Sequence, residues 1–332
     1  MEKKISINDK IFIAGASGMA GSAIKRQLIK KGYGNSQFGG KLLTPTSNEL
    51  NLLNLEAIEK WFQDNNPDVV IIAAAKVGGI LANSENPTEF ILQNLKIQTN
   101  LIETSWKHNV KRLLFLGSSC IYPKYAKQPI KEDYLLDGQL EPTNQWYAIA
   151  KISGIKLCQA LRIQYNFDAI SLMPTNLYGP GDNYNPLSSH VMASFIRKFY
   201  NASTNNELGV ECWGSGKPLR EFMHVDDLGD AVVYTLENWD PNLDNAPVNN
   251  NGEKLYFLNV GTGTDISIKE LAEKIALATN YKGEIYWDKN KPDGTPKKQL
   301  DISNIKKIGW YPKIDLDLGI KKTLESYRFE NT

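Results

Sequence analysis

Short apolar runs alternate with longer amphipathic stretches through the first half of the chain, the pattern of a parallel sheet wrapped in helices. Ile11 to Ala14 predicts a buried strand, followed by a glycine-rich turn and a helix over Met19 to Lys31. Leu42 to Thr44 predicts a second strand, and VVIIAAA from Val69 a third. From Thr88 to Lys107 apolar residues recur at helical spacing, with Phe90, Leu92, Ile97, Leu101, Ile102 and Trp106 on one broad face. LLFLGSS (113–119) predicts a fourth strand running into a turn, Trp146 to Gln164 a helix, and Ala169 to Met173 a fifth strand stopped by Pro174.

The character then changes. LYGPGDNYNP (177–186) is rich in turn residues and marks passage to a second lobe. Helices are predicted near 187–200, 225–238 and 267–279, with an exposed loop from Asp240 to Gly252 and a charged loop from Lys289 to Lys298. The length, 332 residues, suits two units at about 150 residues each. The expected division is a nucleotide-binding half over 1–176 and a smaller lobe over 177–332, with segments near 222–240 and 256–262 returning to the first half.

Composition narrows the function. Lys and Arg number 38 against 37 Asp and Glu, a formal charge of +1, so no global field suits nucleic acid or an acidic membrane. The longest apolar run, Val69 to Ala75, is far below the ~20 residues of a membrane span. Three cysteines, 120, 158 and 212, are too few for a disulfide scaffold and suggest a reducing compartment. A soluble cytoplasmic protein is expected, without a structural metal.

Gly15, Gly18 and Gly21 stand as GASGMAG between the first strand and the first helix. A dinucleotide site needs glycines there, because the backbone must approach a pyrophosphate and helix must pack closely on strand. The helix N-terminus then offers free N–H groups to the phosphates. Glycine turns also occur in ordinary tight connections, but the position at the head of an alternating β/α half favours the nucleotide reading. The expected fold class is α/β: a Rossmann-type doubly wound parallel sheet with a smaller mixed C-terminal substrate-binding lobe. After the second strand, TPTSNEL (44–50) has no acid before Glu49 and no base after Lys41, which mildly favours NADP(H) without excluding NAD(H).

Tyr147 and Lys151, four apart in YAIAK, fall on one face of the predicted helix. A phenol with an ordinary pKa near 10 becomes a usable acid or base beside an ammonium. Ser118, at the end of the fourth strand, can hold the same substrate oxygen. Y-x-x-x-K alone is common by chance; the glycine turn, the serine and the pair occurring in order on the right elements point to a dehydrogenase or reductase of short-chain type.

The blocks AAAKVGGI (73–80), LGSSCIYPK (116–124), EPTNQWYAIAK (141–151), PTNLYGP (174–180), WGSGKPLREFMHVDD (213–227) and NVGTG (259–263) resemble the GDP-L-fucose synthases. These are 3,5-epimerase/4-reductases of the extended short-chain dehydrogenase/reductase group, and the resemblance runs from about residue 10 to 325. It implies NADPH-dependent conversion of GDP-4-keto-6-deoxy-mannose to GDP-L-fucose by a homodimer. It assigns Cys120 as epimerisation base and His190 as acid beside Ser118, Tyr147 and Lys151. Implied cofactor contacts are Gly15, Ala16, Ser17, Gly18, Met19, Ala20, Gly21, Asn48, Leu50, Leu116, Gly117, Lys151, Pro174, Thr175, Asn176, Leu177 and His190. Implied substrate contacts are Lys198, Trp213, Arg220 and Asp293. Lys198 departs from the Arg usual there, and Ser17 and Pro45 stand where some members carry basic residues. Cys158 and Cys212 are expected to be packing, His108 to be solvated, and His224 to be structural, before a helix capped by Asp226.

Other readings remain open. A nucleotide-sugar dehydratase needs an acidic pair where this chain has Ser119 and Cys120. A C4-epimerase would recycle a tightly held NAD and has no evident use for the Cys120/His190 pair. An epimerase/reductase or plain C4-reductase for another GDP-4-keto sugar, such as a heptose, is closer; the presence of both Cys120 and His190 argues against a plain reductase. A non-catalytic dinucleotide sensor would be free to lose Tyr147 or Lys151. The helices near 88–107 and 146–164 are the expected dimer interface, unless their apolar faces pack on the sheet.

Overall fold

The computed structural model describes residues 3–186, 188–291 and 293–330. Residue 187, where one helix was expected to begin, and residue 292 of the expected 289–298 loop lie outside them.

In the first half of the chain, strands β1 (Lys10–Ala14), β2 (Lys41–Leu43), β3 (Val69–Ile72), β4 (Arg112–Leu116) and β5 (Ala169–Pro174) alternate with helices. Those helices are α1 (Met19–Lys30), α2 (Leu55–Asn65), α3 (Ile80–Glu85), α4 (Pro87–Lys107) and α5 (Gln145–Tyr165). Strands β6 (Asn176–Tyr178), β7 (Gly209–Trp213), β8 (Leu219–Arg220), β9 (Phe222–His224), β10 (Phe257–Val260), β11 (Ile266–Ser267), β12 (Glu284–Asp288) and β13 (Lys297–Lys298) follow. Between and after them run α6 (Val191–Thr204), α7 (Val225–Asn238), α8 (Ile268–Ala278), α9 (Ser303–Lys307) and α10 (Leu316–Glu330).

The main sheet has the order β10-β5-β4-β3-β1-β2, with every pairing parallel. The inner strands are buried throughout, which is why they are mainly apolar rather than alternating, with Arg112 at the head of β4 and Ser171 within β5 as buried exceptions. β2 is a short edge strand with an exposed Lys41, a residue that discourages further pairing. The chain reverses its direction of growth between β1 and β3, so the carboxyl ends of those strands open a crevice. α7 packs on α1, and β10 adds the sixth strand from late in the chain.

Several elements differ from the apolar pattern for identifiable reasons. Leu92 is 46% exposed, whereas Asn94 and Gln98 lie on the buried face of α4. Asn94 bonds both the N–H and C=O of Lys76, and the Gln98 amide nitrogen donates to the Ala150 carbonyl on α5, although the Gln98 oxygen is left without a partner. The fourth strand stops at Leu116, and Ser119–Ile121 form a 3-10 turn. The helix expected over 187–200 is Val191–Thr204. The cap of α7 is His224, whose Nδ1 accepts the Asp226 N–H, rather than Asp226 itself. His108 is half-buried and packs on the Phe62 ring at 5.6 Å.

A second apolar cluster, separate from the core around the main sheet, joins α6, α8 and α10 through Phe195, Phe199, Leu271, Ile275 and Ile320. Strands β7 and β12 lie beside it. Strand β8 pairs antiparallel with β11 and parallel with β13.

Candidate active site

The glycine turn is built for close approach. Gly15 has φ +85°, and a Cβ there would sit 2.7 Å from the Ala74 backbone nitrogen. A Cβ on Gly21 would lie 2.1 Å from the Gly15 carbonyl oxygen, so only glycine lets α1 start this near the strand end. Gly18 is the N-cap and provides no side-chain hydrogen bond, leaving the first N–H groups of α1 free for a ligand. Such a bare, glycine-lined N-terminus at the switch of strand order suits a dinucleotide pyrophosphate. Ala16, Ser17, Met19 and Ala20 complete this turn; Leu50 is buried below the end of β2, and Asn48 is exposed beside it.

At the end of β4, Gly117 donates to the Leu172 carbonyl at 2.9 Å, and a side chain at that glycine would have to displace the end of Met173. Ser118 then caps the 3-10 turn, accepting the Cys120 N–H at 3.3 Å. This turn packs against α5, which carries Tyr147 and Lys151 one helical turn apart. Lys151 Nζ donates to the Leu116 carbonyl at 2.7 Å and lies 5.7 Å from the Tyr147 ring centroid. Burial lowers Lys151 to about 8, with the Cys120 charge opposing. Burial and Cys120 push the Tyr147 phenol up, which keeps its proton available for donation. Burial also raises the Cys120 thiol, while Lys298, Ser118 and Lys151 pull it down.

Pro174, Thr175, Asn176 and Leu177 continue from β5 into β6. Thr175 Oγ1 and Asn176 Nδ2 both donate to the Glu221 carbonyl, at 3.3 and 2.7 Å. His190 caps α6; its surface is open to solvent although protein surrounds the ring on other sides, and this partial desolvation with the Lys298 charge holds its imidazole below the ordinary range. Lys198 donates to the Glu211 carbonyl at 2.7 Å and lies 6.0 Å from the centroid of the exposed Trp213 ring, whose other neighbour is Lys291 at 5.0 Å. Arg220 donates to the Asp293 carbonyl at 3.4 Å, and the Asp293 carboxylate receives the Ser215 N–H and hydroxyl, each at 2.7 Å. Cys158 and Cys212 are buried.

The family model described as "NAD dependent epimerase/dehydratase family" matches residues 11–249. The chain belongs to this family. Among its relatives, GDP-L-fucose synthase 1 of Arabidopsis thaliana is 49% identical over 318 residues, covering 96% of this chain and 93% of that protein. GDP-L-fucose synthase of Escherichia coli is 48% identical over 316 residues, covering 95% of each. A GDP-mannoheptose C4 reductase from Campylobacter jejuni with NADP bound superposes with a TM-score of 0.85 at 36% identity, over 98% of this chain and 99% of that one.

Two residues in this epimerase/dehydratase chain were not read from the sequence. Lys298 sits in a stretch of charge and turn residues, yet it lines a cavity of about 40 Å³ together with Cys120. Glu221 is fully buried and accepts N–H groups from Thr262, Gly263 and Leu300 at 2.6, 2.8 and 2.7 Å. A lone acid between Arg220 and Phe222 has no periodic signal. The extreme proximity at Gly261, where a Cβ would lie 2.1 Å from the Glu221 carboxylate, explains the glycine of NVGTG after the fact.

Proposed function

We propose that the protein is a bifunctional epimerase/reductase that inverts C3 and C5 of GDP-4-keto-6-deoxy-mannose and reduces C4 to give GDP-L-fucose. The observation that carries this reading is the packing of the Ser118–Cys120 turn against the helix of Tyr147 and Lys151. It supports one oxygen-holding site adjacent to a thiol.

The ketone at C4 acidifies the hydrogens at C3 and C5. In the proposed sequence Cys120, as thiolate, takes the proton; the C–H electron pair becomes the enolate, and O4 carries the charge. Ser118 and Tyr147 hold O4. Protonated His190 returns a proton on the opposite face and becomes neutral, which inverts the centre. Solvent exchange then resets both groups, and the cycle repeats at the second carbon. The glycine turn of Gly15, Gly18 and Gly21 would hold NADPH, which when bound would be the source of hydride for C4. Tyr147 donates the proton to O4, with the Lys151 ammonium favouring the phenolate left behind.

Lys198, Arg220 and Trp213 suit a nucleoside diphosphate: two cations for the phosphates and an exposed flat ring for base or sugar. Lys198 carries charge without the two-pronged fork of arginine. NADPH, rather than NADH, is the proposed reductant by likeness to NADP-bound relatives. A reducing compartment, the cytoplasm, keeps Cys120 a free thiol. A homodimer through α4 and α5 is supported by exposed Leu92, Trp146 and Ile149 on those helices. Residues 1–176, with α7 and β10, form the proposed cofactor half.

A second reading, a C4-reductase for a GDP-keto-heptose, is favoured by the likeness to the heptose reductase. Mixing the protein with GDP-4-keto-6-deoxy-mannose and NADPH, and following absorbance of the reduced nicotinamide, tests the reductase step. Oxidation is expected; its absence under conditions where a GDP-keto-heptose is reduced would favour the second reading.

A further inference from the structure

We propose that the Lys298 ammonium is the counter-charge of Cys120 during proton removal, a positioning residue that acts through that thiolate. The inference rests on the epimerase/reductase reading for its purpose, but its structural basis stands by itself.

Lys298 reaches this place by tertiary pairing. It lies opposite Arg220 in the parallel β13–β8 pair, and its carbonyl accepts the Glu221 N–H at 3.2 Å. The next residues are tied on two sides: Gln299 N–H donates to the Gln128 side chain at 2.9 Å, and Leu300 N–H donates to the Glu221 carboxylate at 2.7 Å. Ile130 N–H donates to the Gln299 carbonyl at 2.8 Å, fastening this strand to the segment that follows Cys120. The backbone that carries Lys298 is therefore held beside the Cys120 loop at several points.

The end of the side chain is held differently. Lys298 faces the cavity that Cys120, Glu141, Asn144 and Thr295 also line. Among the described residues no hydrogen bond or ion pair engages its ammonium. Its neighbours are paired: Lys297 with Asp265 at 3.1 Å, and Lys124 with Glu141 at 2.9 Å. Asn144 Oδ1, on the same cavity, is buried without a hydrogen-bond partner. A half-buried ammonium with no hydrogen-bonded anion of its own is costly for a fold to keep, and the one carboxylate on this cavity, Glu141, is already paired with Lys124. Its presence is explained if a further anion forms there: Glu141 is paired with Lys124 and the Tyr122 hydroxyl donates to Asn259, which leaves the Cys120 thiol as the acid on the cavity free to become one.

The surrounding charges agree with that assignment. Burial pulls the Lys298 ammonium down, and among the groups opposing this Cys120 is foremost, ahead of Glu141 and Glu221; Arg220 acts with burial. At Cys120 the positive neighbours are Lys298 and Lys151, against a burial effect that favours the neutral thiol. Lys151 is committed to the Leu116 carbonyl, which leaves Lys298 as the uncommitted cation. His190 feels the same positive charge, which disfavours its imidazolium, so Lys298 acts in opposite directions on the two members of the proton-transfer pair.

The test is a carbon-13 NMR titration of full-length protein labelled at cysteine Cβ, with the Cys120 signal assigned through Cys120→Ser. Lys298→Met should move the Cys120 midpoint up by about one pH unit or more, equal to about tenfold less thiolate at a given pH. Lys298→Arg keeps the charge and should hold the midpoint near that of the wild type. An unmoved midpoint in folded Lys298→Met overturns the proposal, as does an equal upward shift in both variants. Lys298→Gln serves the same comparison if the methionine variant does not fold. With substrate, solvent deuterium uptake at C3 and C5 should fall more than NADPH oxidation in Lys298→Met; equal losses would contradict an action through Cys120. If the wild type takes up no deuterium at all, the epimerase reading fails, while the titration still decides whether Lys298 and Cys120 are coupled.

Discussion

The two chemical ends of the candidate site are assembled in different ways. The reducing end is local: Tyr147 and Lys151 share one helix, and Ser118 lies two residues beyond the strand end that Lys151 grips through the Leu116 carbonyl. The proton-transferring end is distributed. Cys120 follows β4, His190 starts α6, and Lys298 arrives on β13, so three distant segments must meet. The local end depends on helix geometry and on one helix-to-strand contact. The distributed end depends on the network centred on Glu221, whose carboxylate holds residues 262, 263 and 300 while its carbonyl holds Thr175 and Asn176. Damage remote from the substrate should therefore separate epimerisation from reduction.

The largest expected effect breaks the local end. Tyr147→Phe removes the proton donor to O4, and stopped-flow oxidation of NADPH should slow by about 10²–10⁴-fold. Deuterium exchange should suffer less, since Ser118 still holds the oxygen. Cys120→Ser should give the converse, with exchange at C3 and C5 suppressed more strongly than hydride transfer. If both variants lower both readouts equally, the two ends are not chemically distinct.

A smaller effect probes the distributed end. Glu221→Ala leaves three backbone N–H groups without their acceptor and should lower stability by about 1–3 kcal/mol in urea unfolding. In the folded variant exchange should fall more than reduction, because Lys298 and Leu300 lose their anchor. An effect of similar size, on stability alone, concerns Glu132, a buried acid that accepts the Asn259 N–H at 3.0 Å and the Asn304 side chain at 2.9 Å. Burial raises it from 4.5 to about 7 in the fold. The folded state thus holds the proton more tightly than the unfolded chain. Stability is greatest below about 4.5 from this group and is lost as pH rises to about 7, by on the order of 1–3 kcal/mol. Glu132→Gln should flatten the unfolding midpoint over that range. An unchanged slope would show that the carboxylate does not titrate there.

The same contrast explains what the amino-acid pattern conveyed. The inner strands were legible because parallel strands buried on both faces are written as near-continuous apolar runs. Tyr147, Lys151 and the glycines were legible because their spacing is local. α2 and α10 lie outside the predicted elements, although Asn54 caps α2 by accepting the Ala57 N–H. The face of α4 was misjudged at Leu92 because apolarity alone does not reveal that Asn94 and Gln98 find backbone partners inside. Lys298 and Glu221 acquire meaning only through pairing between segments far apart in the chain. Cys120 and His190 were singled out by resemblance, since neither has a periodic neighbour to announce it.

The most direct test of the account is the deuterium content of the product formed in heavy water from GDP-4-keto-6-deoxy-mannose and NADPH, read by NMR at C3, C4 and C5. The account predicts one solvent deuterium at C3, one at C5, and unlabelled hydride from NADPH at C4. A reduced product with protium retained at C3 and C5 would contradict it.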